Sequence, residues 1–328
     1  MSCTPETWLL VAPAAAEPSL APLIDAHRRR RPVRVVRPDV DWARELDDVA
    51  GVLLVDSRRR TPRTVLPGPF VSTAGGRRVP VGFVPQVAGD DLERFATAAA
   101  EVQERTVDLG AAGPLAFLGQ WDDHVTRMVG RSLRILGDSA PATQVLFWTA
   151  DRIVRRDLLV ALRNGLGLTL YFGHGRPYGW AGYHGLHNRH LVHARGRPTG
   201  AMISLTCHTA NRFQVALSFA ESVVLHGVAA AAFGAVRPTR TVDNWWWGTS
   251  LCEEFTREPG IALGQLIVRS CPPRPEQWEA YRILGDPLAP LIGAPGAAAA
   301  CRAVFAPAPD ESPIPPGYLA ELAMSSAT

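Results

Sequence analysis

The chain has 328 residues, 47% of them apolar, enough to bury a sizeable core in one large or two small domains. Its formal charge is only +3, and all 34 basic residues are arginine, so nothing points to a nucleic-acid partner. No apolar run is long enough to span a bilayer, and residues 1–11 lack a basic n-region and a cleavage site; a cytoplasmic protein with no membrane partner is expected.

In chain order, Trp8-Leu9-Leu10-Val11 reads as a first strand. Residues 20–30 read as a helix, with Ser19 placed to cap it and Pro22 in its first turn. The arginines at 28–31 suit either a phosphate or a solvated helix end. Val33–Val36 and Val52–Val55 follow as strands, the second ending at Asp56. Strands alternating with helical segments imply an α/β fold with a mainly parallel sheet. Residues 64–84, with Pro67-Gly68 and Gly75-Gly76, read as a hairpin or irregular structure. Leu92, Phe95, Ala96 and Ala99 share one face of a helix expected over 90–104. A first α/β subdomain, 1–112, is expected to end near Gly110 to Gly113.

The second unit, 113–292, opens with a strand at 114–119 and a helix carrying Val125, Met128, Val129 and Leu133 on one face. A strand at 145–148 and a helix at 153–163 come next. Residues 219–225 read as a helix, 229–236 as a strand and 276–284 as a last short helix. From residue 293 an Ala- and Pro-rich tail is expected. The five cysteines, 3, 207, 252, 271 and 301, are odd in number, far apart and in no CxxC arrangement. That argues for a reducing compartment rather than a disulfide framework.

The chemistry concentrates between residues 168 and 213. Leu168-Thr169-Leu170-Tyr171-Phe172 reads as a buried strand that stops at Gly173-His174-Gly175. Ala201-Met202-Ile203-Ser204-Leu205-Thr206 reads as another, stopping at Cys207. In open α/β sheets ligands sit beyond the carboxyl ends of the strands. Parallel neighbours would therefore bring an imidazole and a thiol to one crevice, where the imidazole can favour the reactive thiolate. The backbone N–H groups of Gly175 and Cys207 could hold an oxyanion.

This pairing resembles the caspase-fold cysteine peptidases, most closely the gingipain-like family, C25. The likeness rests on Tyr171-Phe172-Gly173-His174-Gly175 with Trp180, then Ser204-Leu205-Thr206-Cys207 and Phe213. It continues through Ser218-Phe219-Ala220-Glu221, Gly234-Ala235-Val236 and Leu284-Gly285-Asp286-Pro287. Upstream, Val81-Gly82-Phe83-Val84-Pro85 and Asp90-Asp91-Leu92 also match, so the motifs run in order from about residue 50 to 291. The resemblance implies a three-layer α/β/α caspase/gingipain-like fold of two side-by-side α/β subdomains. It also implies a cysteine endopeptidase with a Cys207–His174 dyad, a protein or peptide substrate and no cofactor.

Other residues admit two readings each. In the family an acid after the preceding strand orients the imidazole; Asp122 lies near that place, Asp123 is its rival, and either could simply cap a helix. Within Asn244-Trp245-Trp246-Trp247, Trp246 aligns best with a family tryptophan of the substrate pocket, with Trp247 beside it; the alternative is a hydrophobic plug. Asp243 could add charge for a basic substrate side chain. His184, His187, His190 and His193 recur every third residue, but with no HExxH or CxxC they read as a polar connection rather than a metal site. His208 should point away from its neighbour Cys207. Two other activities fit the same fold: an acyl-transfer, amide-forming enzyme, or a non-catalytic caspase-like scaffold.

Overall fold

A computed structural model describes residues 6–44, 46–56, 66–87, 89–106, 114–120, 122–139, 145–258 and 260–304. The chain starts with β1 (Thr7–Val11), α1 (Glu17–Arg28), β2 (Val33–Val36) and β3 (Val49–Asp56). A hairpin of β4 (Phe70–Ser72) and β5 (Arg78–Pro85) follows, then α2 (Gly89–Gln103). Next come β6 (Leu115–Gly119), α3 (Asp123–Ser139), β7 (Val145–Thr149), α4 (Arg155–Leu162) and β8 (Leu168–Phe172). These agree with the elements expected from the sequence, with one shift. A 3-10 turn at Ala14–Ala16 runs straight into α1, so Ala16 takes the N-cap, Pro18 lies in the first turn and Pro22 lies inside the helix. Ser19 is not the cap.

Between β8 and the next long strand the chain makes three two-residue strands, β9 (Gly175–Arg176), β10 (Gly179–Trp180) and β11 (Leu186–His187). A short turn, α5 (Gly182–Gly185), separates the last two, and a 3-10 segment covers Asn188–Ala194. Then follow β12 (Thr199–Leu205), α6 (Phe219–Leu225), β13 (Ala229–Ala235), α7 (Thr241–Arg257), α8 (Leu263–Arg269) and α9 (Pro275–Trp278). The last two elements among the described residues are β14 (Tyr281–Gly285) and α10 (Ala297–Val304).

The main sheet runs β2-β1-β3-β5-β14-β13-β12-β8-β6-β7, with β4 on the side of β5. Every pairing along that path is parallel except β13 with β14. The expected boundary near Gly110 to Gly113 lies outside the described residues, but the sheet itself is continuous from β2 to β7. The join is β14, which pairs Ile283 with Gly82 on one side and with Phe233 on the other.

That strand corrects the helix expected over 276–284: only Pro275–Trp278 is helical, and Tyr281–Gly285 is a fully buried strand. Both of its faces are covered, so it lacks the alternation that marks a half-exposed strand. The join is tight as well: a Cβ on Gly82 would stand 2.1 Å from the Gly285 carbonyl oxygen. Asp286, just beyond, is wholly buried and meets His27 Nε2 of α1 at 3.0 Å. It also accepts from Gln103 Nε2 of α2 at 2.7 Å. Burial alone would raise this carboxyl, but its contacts with His27, Gln103 and the Leu288 N–H outweigh burial and hold it below the ordinary carboxylate range. One buried acid thus ties two helices of the first half to the joining strand. The expected tail from 293 begins with the helix α10, and its remainder, 305–328, lies outside the described residues.

Candidate active site

β8 and β12 are parallel neighbours whose register sets Phe172 beside Leu205. His174 and Cys207 therefore each lie two residues past the paired ends, on the same edge of the sheet. The two loops touch. A Cβ on Gly175 would fall 2.6 Å from the Cys207 carbonyl oxygen and 2.7 Å from Thr206 Cγ2, so the bare backbone of glycine is what lets them meet.

The His174 loop is anchored through its backbone. His174 N donates to Gln120 Oε1 at 3.2 Å, at the end of β6. Its carbonyl accepts from Ala181 N at 2.9 Å and from the Tyr171 hydroxyl at 3.1 Å. Behind it, Trp180 stacks on Tyr171 with centroids 4.2 Å apart and donates to Ser204 Oγ of β12 at 2.9 Å. The imidazole itself is exposed. Among the described residues no hydrogen bond joins it to the Cys207 sulfur, so the pair is open; an active-site geometry without ligand is often looser than the reacting one.

Cys207 is half-buried, and its sulfur is held from a third loop. Thr239, between β13 and α7, donates its backbone N–H to Cys207 Sγ at 3.3 Å and brings Oγ1 to 3.6 Å. Asn244 Nδ2 of α7 donates to that same Oγ1 at 3.3 Å, and the Tyr281 hydroxyl of β14 donates to Asn244 Oδ1. The sulfur thus sits just ahead of the 17-residue helix α7 (Thr241–Arg257). The sequence reading missed Thr239. β13 is also a parallel neighbour of β12, so the crevice rule that singled out His174 and Cys207 applied equally to the loop after it.

The other cysteines differ. Burial pushes the Cys252 thiol up to about 12, and Cys271 and Cys301 up to about 11. These thiols are protonated and inert at neutral pH.

The remaining candidates separate by what they touch. Asp122 lies at the carboxyl end of β6, and its Oδ1 accepts from Val125 N at 2.9 Å, capping α3; Asp123 is exposed in the first turn. Trp247 is wholly buried, donates to the Gln277 carbonyl at 3.1 Å and packs on Phe233 and Tyr281. It is a core residue, which corrects its placement at a substrate pocket. Asp243 is buried too. Arg240 grips it through two nitrogens at 2.9 Å each, and Gln277 Nε2 donates to it at 3.0 Å. Its charge is already matched within the protein, contrary to the expected role with a basic substrate. Trp246 is 48% exposed. Two positions along a helix turn about 200°. Trp246 therefore faces away from the Asn244 side, toward a cavity of about 370 Å³ that α7 shares with Arg131 of α3. His208 takes a left-handed backbone, φ 61°, and its ring lies near Asn211 Nδ2 at 3.3 Å.

A half-buried thiol and an exposed imidazole thus stand on touching loops past two neighbouring parallel strands, a layout open to thiol-dependent hydrolysis. The family model of peptidase family C25 matches residues 122–292, more than half the chain, and the chain belongs to that family; it is a cysteine-type peptidase. No curated protein sequence matches it. Among solved structures it is similar to the Arg-specific cysteine proteinase gingipain R, with 14% identity, a TM-score of 0.67, and coverage of 88% of this chain and 79% of that one. The complex of the pro- and mature domains of Porphyromonas gingivalis RgpB gives 14% identity, a TM-score of 0.66, and coverage of 87% and 79%. The Saccharomyces cerevisiae separase–securin complex gives 12% identity, a TM-score of 0.50, and coverage of 73% and 15%. At these identities the structures support the caspase/gingipain-like fold.

Proposed function

We propose that this chain is an endopeptidase working through a Cys207–His174 dyad and an acyl-enzyme. The observation that carries the reading is the contact of the two loops at Gly175, with the Cys207 thiol half-buried at that contact and held from Thr239. Cys207 passes its thiol proton to His174 as Sγ attacks the scissile carbonyl carbon, and the carbonyl becomes an oxyanion, held by the N–H groups of Gly175 and Cys207. The C–N bond then breaks as His174 gives its proton to the leaving amine. His174 next takes a proton from water, the water oxygen attacks the thioester, and the C–S bond breaks to release the acid.

Thr239 and Asn244 position the sulfur. Asp122 is the carboxylate we place on the imidazole, a role that would add to its helix cap. Trp246 is assigned to a more distant part of a protein or peptide substrate, along the cavity between α3 and α7. The four cysteines among the described residues, at 207, 252, 271 and 301, are free thiols and support a reducing, cytoplasmic setting. Among the described residues no helix is long and apolar enough to cross a membrane.

The test is substrate profiling by mass spectrometry of the purified protein and its Cys207→Ala variant on a peptide library. Cleavage should fall on the order of 10⁴-fold or more in the variant; equal cleavage by both proteins sinks the reading. Asp122→Asn, which keeps a capping side chain, reads the carboxylate separately through the pH profile of kcat.

A further inference from the structure

A groove lies between α4 and the segment that carries the histidine series. The groove encloses about 780 Å³, within the range of small-molecule pockets. Arg155, Arg156 and Arg163 line one wall, and Arg195 with His184, His190 and His193 lines the other. No carboxylate contributes to either wall. Among the described residues none of the ion pairs engages any of these four arginines. Positive charge this concentrated and unmatched repels itself, and a bound anion relieves it.

Three further features indicate a prepared site. Arg195 Nε is buried and has no hydrogen-bond partner, while its Nη2 lies 2.8 Å from His226 Nδ1. A buried guanidinium N–H left unpaired is costly unless something accepts from it. Arg155 is held in place, with Nη1 donating to the carbonyls of His184 and Gly185 at 3.0 Å each. The backbone it grips is strained, since Tyr183 and His184 are left-handed in succession, φ 60° and 55°, with no glycine at either place. Strain of this kind collects at ligand clamps and switch regions. The local field is also visible in His190. Burial first, and then Arg155, His187, Arg189 and His193, hold its imidazole down to about 4.

We propose that this groove is a binding site for a small polyanion carrying at least two phosphate groups. Guanidinium forks match phosphate oxygens in pairs, and four of them exceed what a single carboxylate can occupy. The exposed Val154 and Val192 in the same groove leave room for an apolar body attached to the phosphates.

The test is calorimetric titration of the full chain with inorganic tripolyphosphate, and with ATP in a second arm. Saturable binding that weakens with added salt is expected from at least one of them. Tighter binding of ATP identifies a nucleotide-like source, and tighter binding of tripolyphosphate an inorganic one. Arg156→Gln, an exposed change, and Arg195→Gln should each weaken binding roughly tenfold. Arg274→Gln, an exposed arginine elsewhere on the surface, should not change it. No saturable binding of either probe up to about 1 mM, a range spanning ordinary small-molecule affinities, overturns the proposal. So does binding that neither groove variant weakens, or that Arg274→Gln weakens equally.

Discussion

Two imidazoles in this protein are treated in opposite ways. His27 is sealed in the core, stacked on Trp8 at 4.0 Å and set against Asp286 at 3.0 Å. His174 is exposed, fixed only through its backbone, with no side-chain hydrogen bond to the thiol across the crevice among the described residues. By distance alone the first pair looks more like a catalytic couple than the second. The difference teaches that a close titratable pair without solvent access is architecture, because no substrate reaches it and its geometry cannot change. Catalysis needs the reverse: a fixed frame, an open approach, and side chains that close on the reacting atoms.

Substitutions at His174 and Asp286 sharpen or break that comparison. After Cys207→Ala, the largest effect on rate is expected from His174→Ala, which should lower peptide cleavage by at least about 10²-fold while leaving urea unfolding unchanged. A loss of stability in place of activity would make the two imidazoles alike. The largest effect on stability is expected from Asp286→Ala, at about 3–5 kcal/mol, since it strands buried partners. Labelling of Cys207 per folded molecule should be retained, measured with a thiol-reactive peptide ketone. The folded-state value of Asp286 is depressed, so its contribution is present above the ordinary carboxylate range and fades as pH falls through the depressed value. The gap between wild type and Asp286→Asn should accordingly narrow on acidification from pH 7 to about pH 3.

The tryptophans make a second matched pair on one helix. Trp247→Ala should cost about 3–5 kcal/mol in denaturant unfolding, as a core truncation. Trp246→Ala should stay within about 0.5 kcal/mol and change KM instead. Equal destabilisation by the two would place Trp246 in the core with its neighbour. The smallest change in atoms is Gly175→Ala. The added methyl must push the His174 loop off Cys207, and kcat should fall up to about 10²-fold with the fold intact. Unaltered turnover would mean that the loop contact does not set the reacting geometry.

The sequence made the crevice legible because its two strands are short apolar runs that break abruptly at glycine or cysteine. The adjacent stretches were not legible, for definite physical reasons. β14 read as helix because Pro275–Trp278 does begin one, and because Tyr281, Ile283 and Leu284 are buried on a strand covered on both faces. Three consecutive tryptophans sweep about 200° of helix, so composition could not say which is buried and which exposed. Asp243 looked available until Arg240, three residues earlier, was seen to hold it. Thr239 carries no motif; its role comes from a loop brought alongside the sulfur by the sheet order.

The position of β14 also governs when this sheet can be finished during synthesis. About 200 residues separate the end of β5 from β14, which at about 5–20 residues per second leaves the ribosome working for some ten to forty seconds. Throughout that interval the flank of β5 waits without its neighbour, and over about the last 45 residues of it the flank of β13 waits too, each a bare template for a foreign strand. A message cut short between codons 235 and 281 would release a polypeptide with both flanks unguarded. Precipitation of such fragments, rather than partial function, is the expected cost of closing a sheet with so late a strand.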